Sequence, residues 1–159
     1  FYDVIPRPEM EKELGAKRVD LDTLLRQSDF VSIHVPLMKE TYHMINADRL
    51  KLMKKTAYLI NNARGPVVDE KALYEALKEN RMAGAGLDVF EHEPTPVDNP
   101  LLKLDNLVVA PHISSASYET RSQMAEMVAE NLVAFFEGRK PPNLVNPDVM
   151  KVRPLTKQF

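Results

Sequence analysis

The chain has 159 residues, with 21 Lys and Arg against 23 Asp and Glu and no cysteine. That length supports a core of its own, while a net charge of −2 gives no electrostatic case for nucleic acid or an anionic membrane as partner. The missing thiols exclude disulfides and thiolate metal sites and fit a reducing, cytoplasmic setting, and neither a bilayer-spanning apolar run nor a secretory signal is visible.

The opening "FYDV" reads as the end of a β-strand over Phe1–Asp3, without an initiator methionine, so a front portion is expected to be missing from the sequence. "EMEKELG" predicts a short helix closed by Gly15 as its C-cap. "AKRV" is a short strand candidate, and "DLDTLLRQS" a helix of one to two turns capped by Asp20 or Asp22. "DFVSIHVPL" predicts a strand ended by Pro36, and "NADRLKLMKK" a helix with Asn46 at its N-cap. "TAYLINNA" is another apolar strand. "VDEKALYEALKEN" places Leu73, Ala76 and Leu77 on one helical face, with Asp69 and Glu70 at the positive helix start. "AGAGLDVF" and "NLVVAPH" are the last two strands. A long helix follows from Ser117 to about Glu137, in which Met124, Val128, Leu132 and Phe135 form an apolar stripe read as core. Gly138 and "KPPNLVNP" stop it, and the tail "DVMKVRPLTKQF" has no strong period.

Apolar strands alternating with helices are the signature of a parallel α/β sheet covered on both faces. Ligands bind such sheets beyond the carboxyl ends of the strands. Asp3, His34, Asn61 to Arg64, Asp88 to Glu93 and His112 all follow apolar strands, which is the strongest pointer to a site.

Each candidate has a bland reading beside its chemical one. Arg64, in "NNARGP", could grip a carboxylate with two parallel hydrogen bonds, or be a surface arginine after a strand. Glu93, before Pro94, could hold and orient a histidine; Glu91 is its rival, spacing does not separate them, and either could be a solvated loop acid. His112 could exchange a proton near neutral pH during reduction of a carbonyl, or cap the long helix. Asp88 could bond an amide or a ribose, or simply form a turn. Asp3 suits a ribose diol, because an ionised carboxylate accepts from two hydroxyls and repels an added phosphate. His34 suits a pocket wall, His43 carries little signal, and His92 is expected to face solvent. No HxxxH spacing supports a metal site, so none is expected.

Four stretches in series, "VSIHVPLMKETYHMIN", "LINNARGPVVDEKALYEAL", "GAGLDVFEHEP" and "VVAPHISS", resemble the successive signatures of the D-isomer-specific 2-hydroxyacid dehydrogenases, and the resemblance covers nearly the whole chain. It implies a Rossmann-like domain and an NAD-dependent oxidoreductase that moves a hydride between the cofactor and a small 2-hydroxy or 2-oxo acid. Arg64 matches the arginine of the N-x-A-R-G motif and would bind the substrate. Glu93 matches the acid before the proline in D-V-F-x-x-E-P, which decides against Glu91. His112 matches the proton donor, held protonated by Glu93. For the cofactor, Asp3 would bind the adenosine ribose, favouring NAD over NADP. His34, Val35 and Pro36 would line the adenine side with Thr41 nearby; Asn62, Ala63 and Arg64 would border the nicotinamide beside His112; and Asp88 would bind its carboxamide.

The resemblance further implies a homodimer in the full-length form and a style closest to glyoxylate or hydroxypyruvate reductases. Two departures stand out. The family's G-x-G-x-x-G phosphate loop is absent from the five glycines present, and "HISS" places Ser114 where glycine is common. The expectation is therefore a Rossmann-like parallel sheet lacking its first strand, Gly-rich loop and helix. A partial NAD-binding domain would span 1–116, with a long helix and tail over 117–159 returning towards an absent substrate domain. Such a chain alone should bind cofactor poorly and turn over little. An NAD-sensing corepressor-like binding protein of the same family, or a structural fragment, are the rival readings.

Overall fold

The computed structural model describes residues 1–155. Its chain divides into two compact units, Phe1–Ile113 and Ser114–Phe159. In the first unit α1 (Pro8–Leu14) and α2 (Leu21–Gln27) precede β1 (Phe30–Ile33), then α3 (Ala47–Leu50), β2 (Tyr58–Asn61), α4 (Glu70–Lys78), β3 (Gly84–Leu87) and β4 (Leu107–Val109). Single 3-10 turns at Gly65–Val67 and Pro100–Lys103 lie between them. The four strands pair in parallel in sequence order, β1-β2-β3-β4. This is the α/β architecture that the alternating strands and helices predict.

The helices form where their ends are locally satisfied. Asp20, not Asp22, caps α2, its Oδ1 accepting from Thr23 N at 2.8 Å. Asn46 Oδ1 accepts from both Asp48 N and Arg49 N at 3.1 Å at the start of α3. Asp69 Oδ1 accepts from Ala72 N at 2.9 Å at the start of α4. Gly15 ends α1 in the left-handed region at φ 63°, which a residue with no Cβ adopts cheaply.

Strand alternation then decides the core. Val31 and Ile33 of β1, Leu59 and Asn61 of β2, and Ala85 and Leu87 of β3 face inward, against Leu25 of α2, Leu50 of α3, and Leu73, Ala76 and Leu77 of α4. Each fully buried leucine contributes about 2 kcal/mol. Exposed ion pairs such as Lys54–Asp29 contribute less than about 1 kcal/mol. Packing therefore holds this unit.

Several predicted elements differ. Phe1–Asp3 is not a strand, and neither is "AKRV". Phe1 N donates to Lys17 O at 2.7 Å and Val19 N to Phe1 O at 2.9 Å, too few bonds for a ladder. The helix predicted over "NADRLKLMKK" stops at Leu50. Leu52 N and Met53 N turn instead to carbonyls three residues back, a tighter turn that still buries Met53. The sheet was expected to be covered on both faces, yet among the described residues the stacked pair Phe30 and Tyr58, centroids 5.5 Å apart, is exposed, Phe30 at 70%. Alternation marks a face that could be covered, not what covers it.

The second unit holds α5 (Tyr118–Phe136) and α6 (Val149–Val152). Ser117 caps α5, its Oγ accepting from Thr120 N at 3.1 Å. Gly138, at φ 73°, closes it as Gly138 N donates to Phe135 O and Arg139 N to Ala134 O. The stripe read as core is open to solvent: Met124 is 56% exposed, Val128 60%, and Leu132 and Phe135 are exposed as well. The last four positions of the tail, 156–159, lie outside the described residues. Among the described residues no helix is long and apolar enough to cross a membrane.

Candidate active site

The parallel register sets Ile33 beside Asn61, Asn61 beside Leu87, and Leu87 beside Val109. The residues that follow, including His34, Asn62 and Asp88, therefore leave the sheet at one shared edge, the carboxyl end where such sheets bind ligands.

At that edge His112 Nδ1 lies 2.8 Å from Glu93 Oε2. An ionised carboxylate only accepts, so Nδ1 carries the hydrogen and Nε2 is left facing away from Glu93. Glu93 Oε1 accepts from Phe90 N at 3.0 Å. The His112 hydrogen bond first, and the Phe90 N–H second, hold the Glu93 carboxyl below the usual glutamate range. The charge on Glu93 thus survives into more acid solution than an ordinary glutamate's. Its stabilising contact is whole above the ordinary value and is lost as pH falls through the lowered one.

His112 adopts φ 55°, a left-handed conformation that costs a side-chain-bearing residue about 1 kcal/mol. Asp88 secures it: Asp88 O accepts from His112 N at 2.8 Å, and Asp88 Oδ1 accepts from Ile113 N at 2.8 Å. Asp88 is buried. Glu91, the sequence rival of Glu93, points elsewhere: its Oε1 lies 3.0 Å from His43 Nε2 and accepts from Glu70 N at 2.9 Å.

Arg64 stands just beyond β2 in extended backbone, its Nη1 donating to Ala63 O at 2.6 Å. Asn61, fully buried, shapes this turn from beneath: Nδ2 donates to Arg64 O at 3.0 Å and Oδ1 accepts from Ala63 N at 3.1 Å. Gly65 follows because nothing larger fits; a Cβ there would lie 1.9 Å from Phe90 O and 2.0 Å from Phe90 C. The Arg64 turn is thereby pressed against the turn that carries Glu93.

The remaining candidates make local contacts. His34 Nε2 is 2.8 Å from Ser32 Oγ on the exposed side of β1, and Val35 packs half-buried on the core. Thr41 Oγ1 donates to Pro36 O at 2.6 Å and accepts from Met38 N at 2.8 Å, which closes the loop after β1. Asn62 is exposed and Ala63 half-buried. Asp3 accepts from Ile5 N at 2.9 Å and Arg7 Nε at 3.0 Å; these bonds, the backbone one first, hold its carboxyl below the usual range. The Arg18 guanidinium donates to Asp3 O.

Sequence reasoning left three contributors without a role. Asn61 was named only as the start of the polar run after β2, not as the buried residue that shapes the Arg64 turn. Gly65 was visible as a turn glycine but not as a close contact. His43, with its ring 4.1 Å from that of Tyr42, gave no local sign of its partners Glu91 and, at 4.0 Å, Asp69.

The chain is similar to known proteins of one family. The family model described as "D-isomer specific 2-hydroxyacid dehydrogenase, NAD binding domain" matches residues 1–114. A glyoxylate reductase of Korarchaeum cryptofilum is 66% identical over 154 residues, which cover 97% of this chain and 46% of that protein. A glyoxylate reductase of Thermofilum pendens is 60% identical over 158 residues, 99% of this chain and 47% of its own length. Among solved structures, the TT0316 protein from Thermus thermophilus superposes with a TM-score of 0.84 at 46% identity, over 91% of this chain and 45% of that one. The NAD-complexed D-isomer specific 2-hydroxyacid dehydrogenase from Lactobacillus delbrueckii ssp. bulgaricus also reaches 0.84, at 36% identity over 91% and 47%. The chain spans about half the length of the curated relatives it matches.

Proposed function

Since the chain belongs to the D-isomer specific 2-hydroxyacid dehydrogenase family, we propose that the protein carrying it reduces a small 2-oxo acid, glyoxylate or hydroxypyruvate, with NADH. The observation that carries this reading is the 2.8 Å contact between His112 Nδ1 and Glu93 Oε2, in a chain with glyoxylate reductases among its relatives.

The residues present fit the dinucleotide. Asp3, its carboxyl held below the usual range by Ile5 N and Arg7, would accept from the ribose hydroxyls, and its negative charge would disfavour the added phosphate of NADP. His34, Val35, Pro36 and Thr41 would line the adenine side; Asn62, Ala63 and Asp88 would border the nicotinamide. The pyrophosphate has no glycine loop in these 159 residues, so the chain alone would bind cofactor weakly. When bound, the cofactor supplies the hydride.

The chain's own groups do the rest. Arg64 would pair its guanidinium with the substrate carboxylate and carbonyl, orienting the carbon to be reduced and offsetting negative charge growing on the oxygen. His112, its Nδ1–H directed at Glu93, would give the Nε2 proton to that oxygen. Glu93 holds the ring in place through its contact with Nδ1. In the reverse direction Nε2 takes the hydroxyl proton back.

The test is NADH oxidation by the full-length protein carrying this sequence, offered glyoxylate, hydroxypyruvate and pyruvate, with NADPH in parallel. His112→Gln should lower kcat by about a hundredfold or more. Wild-type turnover in that variant would refute the assignment of the proton donor. Failure of the wild-type protein to reduce any of the three acids would refute the activity.

A further inference from the structure

The turn from Asp88 to Glu93 is fixed at three places. At its front, Asp88 N donates to Asn61 O at 2.9 Å, and the Phe90 side chain is buried in the core. At its end, Glu93 reaches His112. Its middle is held by Glu91, through contacts that have no part in the proton transfer described above. Glu91 N donates to Glu70 Oε1, while Glu91 Oε1 accepts from Glu70 N at 2.9 Å. Each glutamate side chain thus satisfies the other's backbone N–H, a reciprocal lock between the turn and the first residue of α4. The helix start favours the Glu91 carboxylate there, because the N-terminal N–H groups carry partial positive charge.

Two like charges this close call for a cation or further donors. His43 Nε2 lies 3.0 Å from Glu91 Oε1, and Asn99 Nδ2 donates to Glu70 Oε2 at 3.2 Å. His43 is itself anchored, its N donating to Pro66 O at 2.8 Å one residue from the Gly65 contact, and Asp69 stands 4.0 Å from its other ring nitrogen. The lock therefore ties the loop after β1, the Arg64 turn and α4 to the segment bearing Glu93.

We propose that Glu91 is a positioning residue for the reduction: its lock with Glu70, braced by His43, sets the 88–93 turn so that the Glu93 carboxylate meets His112. Phe90 and Asp88 fix where the turn leaves the core. Glu91 fixes its rotation, and Glu93 lies only two residues on. This rests on the proposed reduction for its kinetic consequence but not for its geometry.

The experiment has two readouts. In Glu91→Ala, kcat for the 2-oxo acid should fall about tenfold or more while its KM changes little, because proton donation is misplaced and the Arg64 clamp is kept. In the same variant, the Glu93 carboxyl followed by carbon NMR should titrate at higher pH than in wild type, since the His112 hydrogen bond that lowers it is weakened. Glu91→Gln keeps an oxygen for Glu70 N and should restore most of both. Glu70→Ala, which frees Glu91 N, should give the same signature as Glu91→Ala, and the double variant little more than either alone. Should Glu91→Ala not fold, Glu70→Ala carries the comparison. A Glu93 titration unmoved in the folded variants overturns the proposal, whatever happens to thermal stability. Because that titration needs no turnover, it reads the lock even if the wild-type protein reduced no 2-oxo acid, a result that would count against the activity alone.

Discussion

Gly65 shows how much a single hydrogen atom in place of a side chain can settle. The Phe90 carbonyl occupies the space a Cβ would need, at 1.9 Å, and backbone does not swing aside as a side chain would. Gly65→Ala should therefore destabilise by about 3 kcal/mol or more, at or beyond the upper end for overpacking. It should also cut turnover, because relief comes by displacing the peptide between Phe90 and Glu91. A thermal melt and kcat together check this, and an alanine variant as stable and active as wild type would show that the two turns are not in register. Arg64, Glu93 and His112 stood out in the sequence as polar residues beyond apolar strands, but their roles came from the family resemblance and not from that position. The choice between Glu91 and Glu93 was not legible from spacing. Two acids two residues apart differ only in which way the turn directs them, and that depends on Glu70 and His112, 21 and 19 residues away in the chain.

At the scale of elements, legibility follows the range of the interactions. Helix starts were readable because a cap reaches only two or three residues: Asp20, Asn46, Asp69 and Ser117 all bond N–H groups within that reach. Removing one tests the point. Asn46→Ala leaves two N–H groups of α3 without their acceptor and should cost about 1 kcal/mol, read as a lower denaturant midpoint at unchanged slope, while Asn46→Ser should recover most of it. An alanine variant with the wild-type midpoint would mean that the cap is worth nothing in this context. Strand status at Phe1–Asp3 and Ala16–Val19 was not readable, because strands need a ladder of partners and Phe1 makes only two such bonds, to Lys17 and Val19. The length of α3 was not readable for a related reason. Burying Leu50 and Met53 against the sheet favours a tightened turn that helical periodicity alone does not reveal.

For the molecule as a whole, hydrophobic pattern predicts faces but not neighbours. The α4 face of Leu73, Ala76 and Leu77 was identifiable from period and is buried. The Met124–Val128–Leu132–Phe135 stripe has an equally regular period and is exposed, as is the stacked pair Phe30 and Tyr58. A regular apolar row on a 19-residue helix is larger than the scattered exposed residues ordinary for a soluble surface. Water in contact with it is released on association, at about 25 cal/mol for each Å² covered. These 159 residues, prepared alone, should therefore self-associate as concentration rises and bind an apolar dye. Val128→Lys with Leu132→Lys should reduce both effects, since both positions lie on the exposed stripe and neither contributes to the core of the first unit. Sedimentation velocity across a concentration series reads the association directly. If the wild-type chain stayed monomeric and bound no dye, helical period together with exposure would have failed to mark an adhesive face. If the two lysines left association unchanged, the open sheet face with Phe30 and Tyr58 would be the surface responsible.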